Sequence, residues 1–184
     1  IEIKGVAREP GERAKVAVYS HDPGVDPRGA CIGIKGSRVQ SVVNELKGER
    51  IEIVLWTPDA PSYVARSLSP SSRPDRVLDV LRVVIDQEQE SMEVVVPDDQ
   101  LSLAIGKKGQ NVRLASRLTG WKIDVRSESL AEEESKKARE SLENIPGILF
   151  PEAELLFQDG YRGVAEVAAS TMEDLAEIEG ISEE

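Results

Sequence analysis

The chain has 184 residues, 40% apolar and 31% charged, and its 34 acidic side chains outnumber 23 basic ones for a net charge of −11. That length supports one or two small domains and excludes a large enzyme core. A lone cysteine, Cys31, excludes an internal disulfide and favours a reducing compartment; no apolar run approaches the roughly 18 residues of a membrane span, and the charged opening Ile1-Glu2-Ile3-Lys4 is not a signal peptide.

In chain order, residues 1–8 and 15–20 alternate as two strands joined by the turn Glu9-Pro10-Gly11-Glu12, which predicts a hairpin. Residues 21–27 are punctuated by Pro23, Gly24 and Pro27, and 28–32 form a short helix. A longer helix carrying Val39, Val42, Val43 and Leu46 follows, and a strand over 51–56 closes the first αβ unit. The Thr57-Pro58 pair starts a helix over 58–68, with a break at 69–74. Strands are expected at 77–86 and 92–96 around a polar turn at 87–90, then a short helix at 98–105, a second longer helix, and a strand at 121–126. Beyond Ser127 the pattern is helical: 130–144, stopped by Pro146-Gly147, then 163–169 and 172–178, the last capped by Ser170 or Thr171.

The order within the two units is the same because the chain repeats itself. Cys31-Ile32-Gly33-Ile34-Lys35-Gly36-Ser37-Arg38-Val39 and Ala104-Ile105-Gly106-Lys107-Lys108-Gly109-Gln110-Asn111-Val112 each place a GxxG with a basic tip inside an apolar helical frame, 73 residues apart. Two glycines at this spacing let the backbone turn tightly and approach a ligand without a Cβ in the way. A phosphate backbone fits such a loop, with Lys35, Lys107 and Lys108 as cationic contacts and the amides at the start of the next helix adding partial positive charge. Arg38, Arg113 and Arg117 lie on the following helices, the last two on one face, where they are expected to line a groove. Aromatic residues are only 4% of the chain, so bases are expected to meet apolar contacts and edge hydrogen bonds in place of stacking. Trp121 is expected in the core, and Trp56 in core or interface.

Charge is divided along the chain. Residues 1–57, 58–127 and 128–184 carry +1, 0 and −12. An acidic tail of this kind repels off-target nucleic acid or meets a basic protein surface, and leaves binding to the local basic loops. Catalysis has little support: His21, the sole histidine, stands in a turn without a cysteine cluster, Asp98-Asp99 suit a helix start, neither GxxG extends to a P-loop, and the glycines follow helices where a dinucleotide site needs a strand. No metal, cofactor or catalytic residue is expected. A plain scaffold in which the loops are structural turns is the competing reading, and an RNA hydrolase using clustered acids a third.

These segments, with Ile3-Lys4-Gly5-Val6-Ala7-Arg8-Glu9-Pro10-Gly11, Asn44-Glu45-Leu46-Lys47-Gly48-Glu49 and above all the run from Val96-Pro97-Asp98-Asp99-Gln100 through Ala115, resemble the paired type II (prokaryotic) KH domains of the NusA family of bacterial transcription termination/antitermination factors. The resemblance implies an α+β fold: a first KH domain at 1–57, a second at 58–127, and an all-helical acidic region at 128–184 similar to helix-hairpin-helix repeats. It implies RNA-binding loops at Gly33, Ile34, Lys35 and Gly36 and at Gly106, Lys107, Lys108 and Gly109, in a cytoplasmic, monomeric, non-enzymatic factor. Such a factor contacts single-stranded nascent RNA and RNA polymerase and modulates pausing, termination and antitermination. Ile34 departs from a polar loop tip. Leu175-Ala176-Glu177-Ile178-Glu179-Gly180-Ile181 is similar to the first half of a helix-hairpin-helix, set among acids that suit protein docking or masking of the KH surface better than DNA contact. The absent initiator Met, and the stop just after a helix-turn signal, point to a piece of a longer protein whose polymerase-binding and S1 domains lie elsewhere.

Overall fold

The computed structural model of the protein describes residues 1–69 and 78–181. It divides into two compact units, Ile1–Glu128 and Ser129–Glu184.

In the first unit, strands β1 (Glu2–Glu9) and β2 (Arg13–Tyr19) form the expected antiparallel hairpin, with Gly11 at φ 80° in its turn. Asp26 caps helix α1 (Pro27–Ile32) by accepting from the amides of Arg28 and Gly29, both at 3.0 Å. Helix α2 (Ser37–Glu45) leads to β3 (Arg50–Leu55), which pairs in parallel with β2 and gives the sheet order β1-β2-β3.

The second repeat adds a leading helix, α3 (Ala60–Leu68), which begins two residues later than the Thr57-Pro58 signal predicts. Asp59 is the residue that caps it, accepting from Ser62 N at 3.1 Å, and Pro61 sits in its first turn. β4 (Arg82–Asp86) pairs antiparallel with β5 (Ser91–Val96). The strand expected from residue 77 therefore starts at Arg82; Asp79 exchanges two hydrogen bonds with the Gln100 side chain, at 2.9 and 2.7 Å, and this draws the chain before β4 away from regular pairing. Of the expected break at 69–74, all but Ser69 lies outside the described residues, as does Val77. A tight turn at Asp98–Gln100 leads into α4 (Leu101–Ile105); α5 (Gln110–Thr119) ends on left-handed Gly120, and β6 (Lys122–Ser127) runs parallel to β5.

The main core of this unit gathers Val64 and Leu68 of α3, Met92, Val94 and Val96 of β5, Ala104 of α4 and Ala115 of α5, with Trp121 packed against it as expected. A second cluster joins the repeats. Tyr63 of α3 packs with Ala17 and Val54 of the first sheet, flanked by Trp56 and by Leu118 of α5, and the Tyr63 hydroxyl donates to the Leu118 carbonyl at 3.4 Å.

The second unit is helical: α6 (Glu128–Glu143), α7 (Phe150–Gln158), α8 (Val164–Ala169) and α9 (Met172–Ala176). Leu142, Ala153, Leu156 and Ile178 form its core. Thr171 caps α9, accepting from Asp174 N at 3.1 Å. Helix α7 is not among the elements expected from sequence. Its Phe157 ring lies under two guanidinium groups, Arg139 at 4.1 Å and Arg162 at 4.5 Å. Among the described residues no helix is long and apolar enough to cross a membrane.

Candidate nucleic-acid interface

The two GxxG loops trace the same path. Gly33, Lys35 and Gly36 have φ/ψ of 74/177°, 50/29° and 79/13°; Gly106, Lys108 and Gly109 have 75/171°, 54/29° and 72/14°. Each loop is closed by one bond, Gly36 N to Gly33 O and Gly109 N to Gly106 O, both 3.1 Å. The first glycine of each loop is required twice over, by its positive φ and by crowding. A Cβ at Gly33 would lie 2.8 Å from Arg38 Cγ, and one at Gly106 would lie 2.7 Å from Asn111 Cβ and 2.9 Å from Asn111 N.

That crowding identifies two equivalent supports, each five residues past its glycine. Arg38 Nη1 donates to the Ala30 carbonyl at 2.7 Å. Buried Asn111 donates from Nδ2 to the carbonyls of Leu68 and Ala104, both at 2.8 Å. The 73-residue offset aligns Asn111 with Arg38 in the sequence, yet only the structure shows that both hold the loop from behind.

Ile34, Lys35, Lys107 and Lys108 project from the loops and are exposed, Ile34 to 86%. Among the described residues the ammonium groups of Lys35, Lys107 and Lys108 make no ion pair or hydrogen bond. The three arginines differ from one another. Arg38 is exposed but tied to Ala30 O, and Arg117 is exposed on the last turn of α5. Arg113 is drawn into a contact with the first repeat: its Nε lies 2.6 Å from Glu9 Oε1 and its Nη1 donates to the Lys108 carbonyl at 3.2 Å. Gln110 Nε2 donates to Glu9 and Glu12, at 2.8 and 2.7 Å. Hydrogen bonds from Arg113 and then Gln110 hold the Glu9 carboxyl well below the usual carboxylate range, at about 2. Sequence reasoning missed Glu9, Glu12 and Gln110, since nothing local marks a pair 104 residues apart.

Of the residues weighed for catalysis, His21 is exposed, with Nε2 2.8 Å from Glu2 Oε2, and Asp98 and Asp99 occupy the tight turn before α4. Among the described residues no group of three or more His, Cys, Asp or Glu could hold a metal ion.

Residues 1–56 match the model of the NusA-like first KH domain, and residues 60–133 that of the NusA-like second KH domain. The chain belongs to the NusA family. Its fold is two tandem KH domains followed by a helical region. Among its NusA relatives, the transcription termination/antitermination protein NusA of Halalkalibacterium halodurans is 57% identical over 133 residues, covering 72% of this chain and 33% of that protein. The protein of the same name in Bacillus subtilis is 52% identical over 159 residues, 86% of this chain and 41% of the relative. That of Rickettsia prowazekii is 43% identical over 192 residues, covering all of this chain and 37% of the relative. The chain thus spans between a third and about two fifths of the length of these NusA relatives, whose name is that of a transcription factor and not of an enzyme.

Proposed function

We propose that this chain binds single-stranded nascent RNA through its two GxxG loops, as the paired KH portion of a cytoplasmic factor that modulates pausing, termination and antitermination by RNA polymerase. The observation that carries the reading is the repeated loop: one backbone path, twice, with a lysine at the same left-handed position and an unpaired ammonium group in each copy. Gly33 and Gly36, and Gly106 and Gly109, admit the nucleic-acid backbone closely; Lys35, Lys107 and Lys108 neutralise phosphates; Arg117 extends the cationic track along α5. Ile34 offers an apolar tip to a base or ribose. Arg38, tied to the Ala30 carbonyl of α1, and Arg113, tied to the Lys108 carbonyl, contribute from the sides of the loops. The functional units are 1–57, 58–127 and 128–184, the last, with its charge of −12, meeting a basic protein surface or masking the KH loops within a monomer.

The test is a titration of short fluorescent single-stranded RNAs into the intact chain and a Lys107→Asp/Lys108→Asp variant at several salt concentrations. The RNA reading expects a marked loss of affinity in the folded variant, and a log–log salt slope shallower by roughly 1.4 for two lost phosphate contacts. Equal binding by both proteins, or none by either, turns the assignment to a protein-interaction scaffold whose loops are structural turns.

A further inference from the structure

Among the described residues, the second GxxG loop is held from outside its own domain, and the first is not. The hairpin turn between β1 and β2 is itself made rigid from beneath: Glu49, 1% exposed, takes two bonds from Arg8, at 2.7 and 2.8 Å, and one from Gly11 N at 3.0 Å. Glu12 N bonds Glu9 O at 3.0 Å and Arg50 N bonds Glu12 O at 3.1 Å, which ties the turn to the start of β3. From this fixed turn the Glu9 carboxylate reaches both Gln110 and Arg113 in the first turn of α5, and Arg113 in turn donates to the carbonyl of Lys108. Lys108 has φ 54°, in the left-handed region that side-chain-bearing residues adopt at some energetic cost.

At the matching positions of the first repeat, 73 residues earlier, stand Ser37 and Gln40; the Gln40 amide bonds Asn44 at 2.9 Å on its own helix. Among the described residues, Lys35, at φ 50°, therefore has no counterpart of the Arg113 bond.

We propose that Glu9 of the first KH domain is a positioning residue for the second GxxG loop, holding Arg113 against the Lys108 carbonyl so that the loop keeps the shape in which it receives RNA. The proposal rests on the RNA-binding reading and adds to it a dependence of one loop on the other domain. It also makes an expectation opposite in sign to simple electrostatics. Glu9 is a negative charge beside a phosphate site, and removing such a charge by itself strengthens RNA binding; a positioning carboxylate weakens it when removed.

The experiment compares the intact chain with its Glu9→Gln variant in two measurements: affinity for a short fluorescent single-stranded RNA, and amide hydrogen exchange across residues 106–109. The expected result is binding weaker by about fivefold, with faster exchange of Gly109 N–H, and unchanged exchange in β1 and β2, which a general loosening between the domains would also accelerate. Equal or tighter RNA binding by the variant overturns the proposal, whether or not the loop exchanges faster, and so does unchanged exchange at Gly109. If the unaltered chain binds no RNA, the RNA reading falls on its own; the exchange measurement then still decides whether Glu9 holds the loop.

Discussion

The first and second KH repeats place charged residues at the same register of their sheets and treat them in opposite ways. On β2 and β3, Lys15 pairs across to Glu52, on the face that also bears Ala17 and Val54. Tyr63 and Leu118 of the second repeat press on that face, and the Lys15 side chain is 0% exposed, its Nζ 2.7 Å from Glu52 Oε2, with Arg13 3.5 Å from the other carboxylate oxygen. On β5 and β6 the corresponding residues are Glu93 and Asp124, partly open to solvent and shared by Arg126 at 3.3 and 2.8 Å. Identical sheet positions thus carry a buried ion pair where another domain lies over the sheet, and a solvated cluster in the second sheet. Burial pushes the Lys15 ammonium down from its ordinary pKa, against the pull of Glu52.

The largest expected effect tests that contrast. Glu52→Ala leaves Lys15 buried without its carboxylate and is expected to cost about 3–5 kcal/mol of unfolding free energy. Glu93→Ala breaks only partly exposed pairs and is expected to cost less than about 1 kcal/mol. Urea denaturation of both variants measures the difference, and similar losses would break the comparison.

The loops give a second, smaller contrast. Their backbones agree, but the atoms behind the first glycine do not: at Gly33 the nearest neighbours are side-chain carbons of the exposed Arg38, whereas at Gly106 they include the backbone nitrogen of Asn111. Gly106→Ala is expected to destabilise by about 3 kcal/mol, from positive-φ strain plus a clash the helix cannot relieve, and Gly33→Ala by about 2 kcal/mol. Thermal melting of the two variants gives the order, and a reversed order would mean that the buried Asn111 is the more adaptable support.

These contrasts separate what was legible in the sequence from what was not. The hairpin, the helices on either side of each GxxG and the parallel closing strands were readable because they depend on local periodicity and on glycine and proline positions. Helix α3 starts two residues after the Thr57-Pro58 signal because the Asp59 side chain caps it, with Pro61 in the first turn. Helix α7 was not expected: Pro151 at its start and Asp159-Gly160 at its end are turn-favouring residues, and its apolar residues are spent on the small core around Leu142 and Leu156. Of the candidate site residues, the glycines and lysines followed from the motif itself. The fate of the arginines did not, because Arg38 bonds a carbonyl eight residues back and Arg113 a carboxylate of the other domain.

The smallest expected effect concerns the one position at which the loops differ in chemistry on a shared backbone. Ile34 and Lys107 occupy equivalent tips, and both are exposed. If the tips face RNA phosphate in the same way, Ile34→Lys supplies a contact the first loop lacks: affinity for single-stranded RNA at low salt rises roughly threefold, and the log–log salt slope steepens by about 0.7. If Ile34 instead packs on a base or ribose, the added charge comes at the loss of that apolar contact; the slope then steepens while affinity at high salt falls below that of the unaltered chain. Titrations of one RNA at low and high salt separate the two. An unchanged slope would mean that the first loop, despite its matching backbone, does not lie along the phosphate path at all, and would leave the second loop, with its support from Glu9, as the dominant electrostatic anchor.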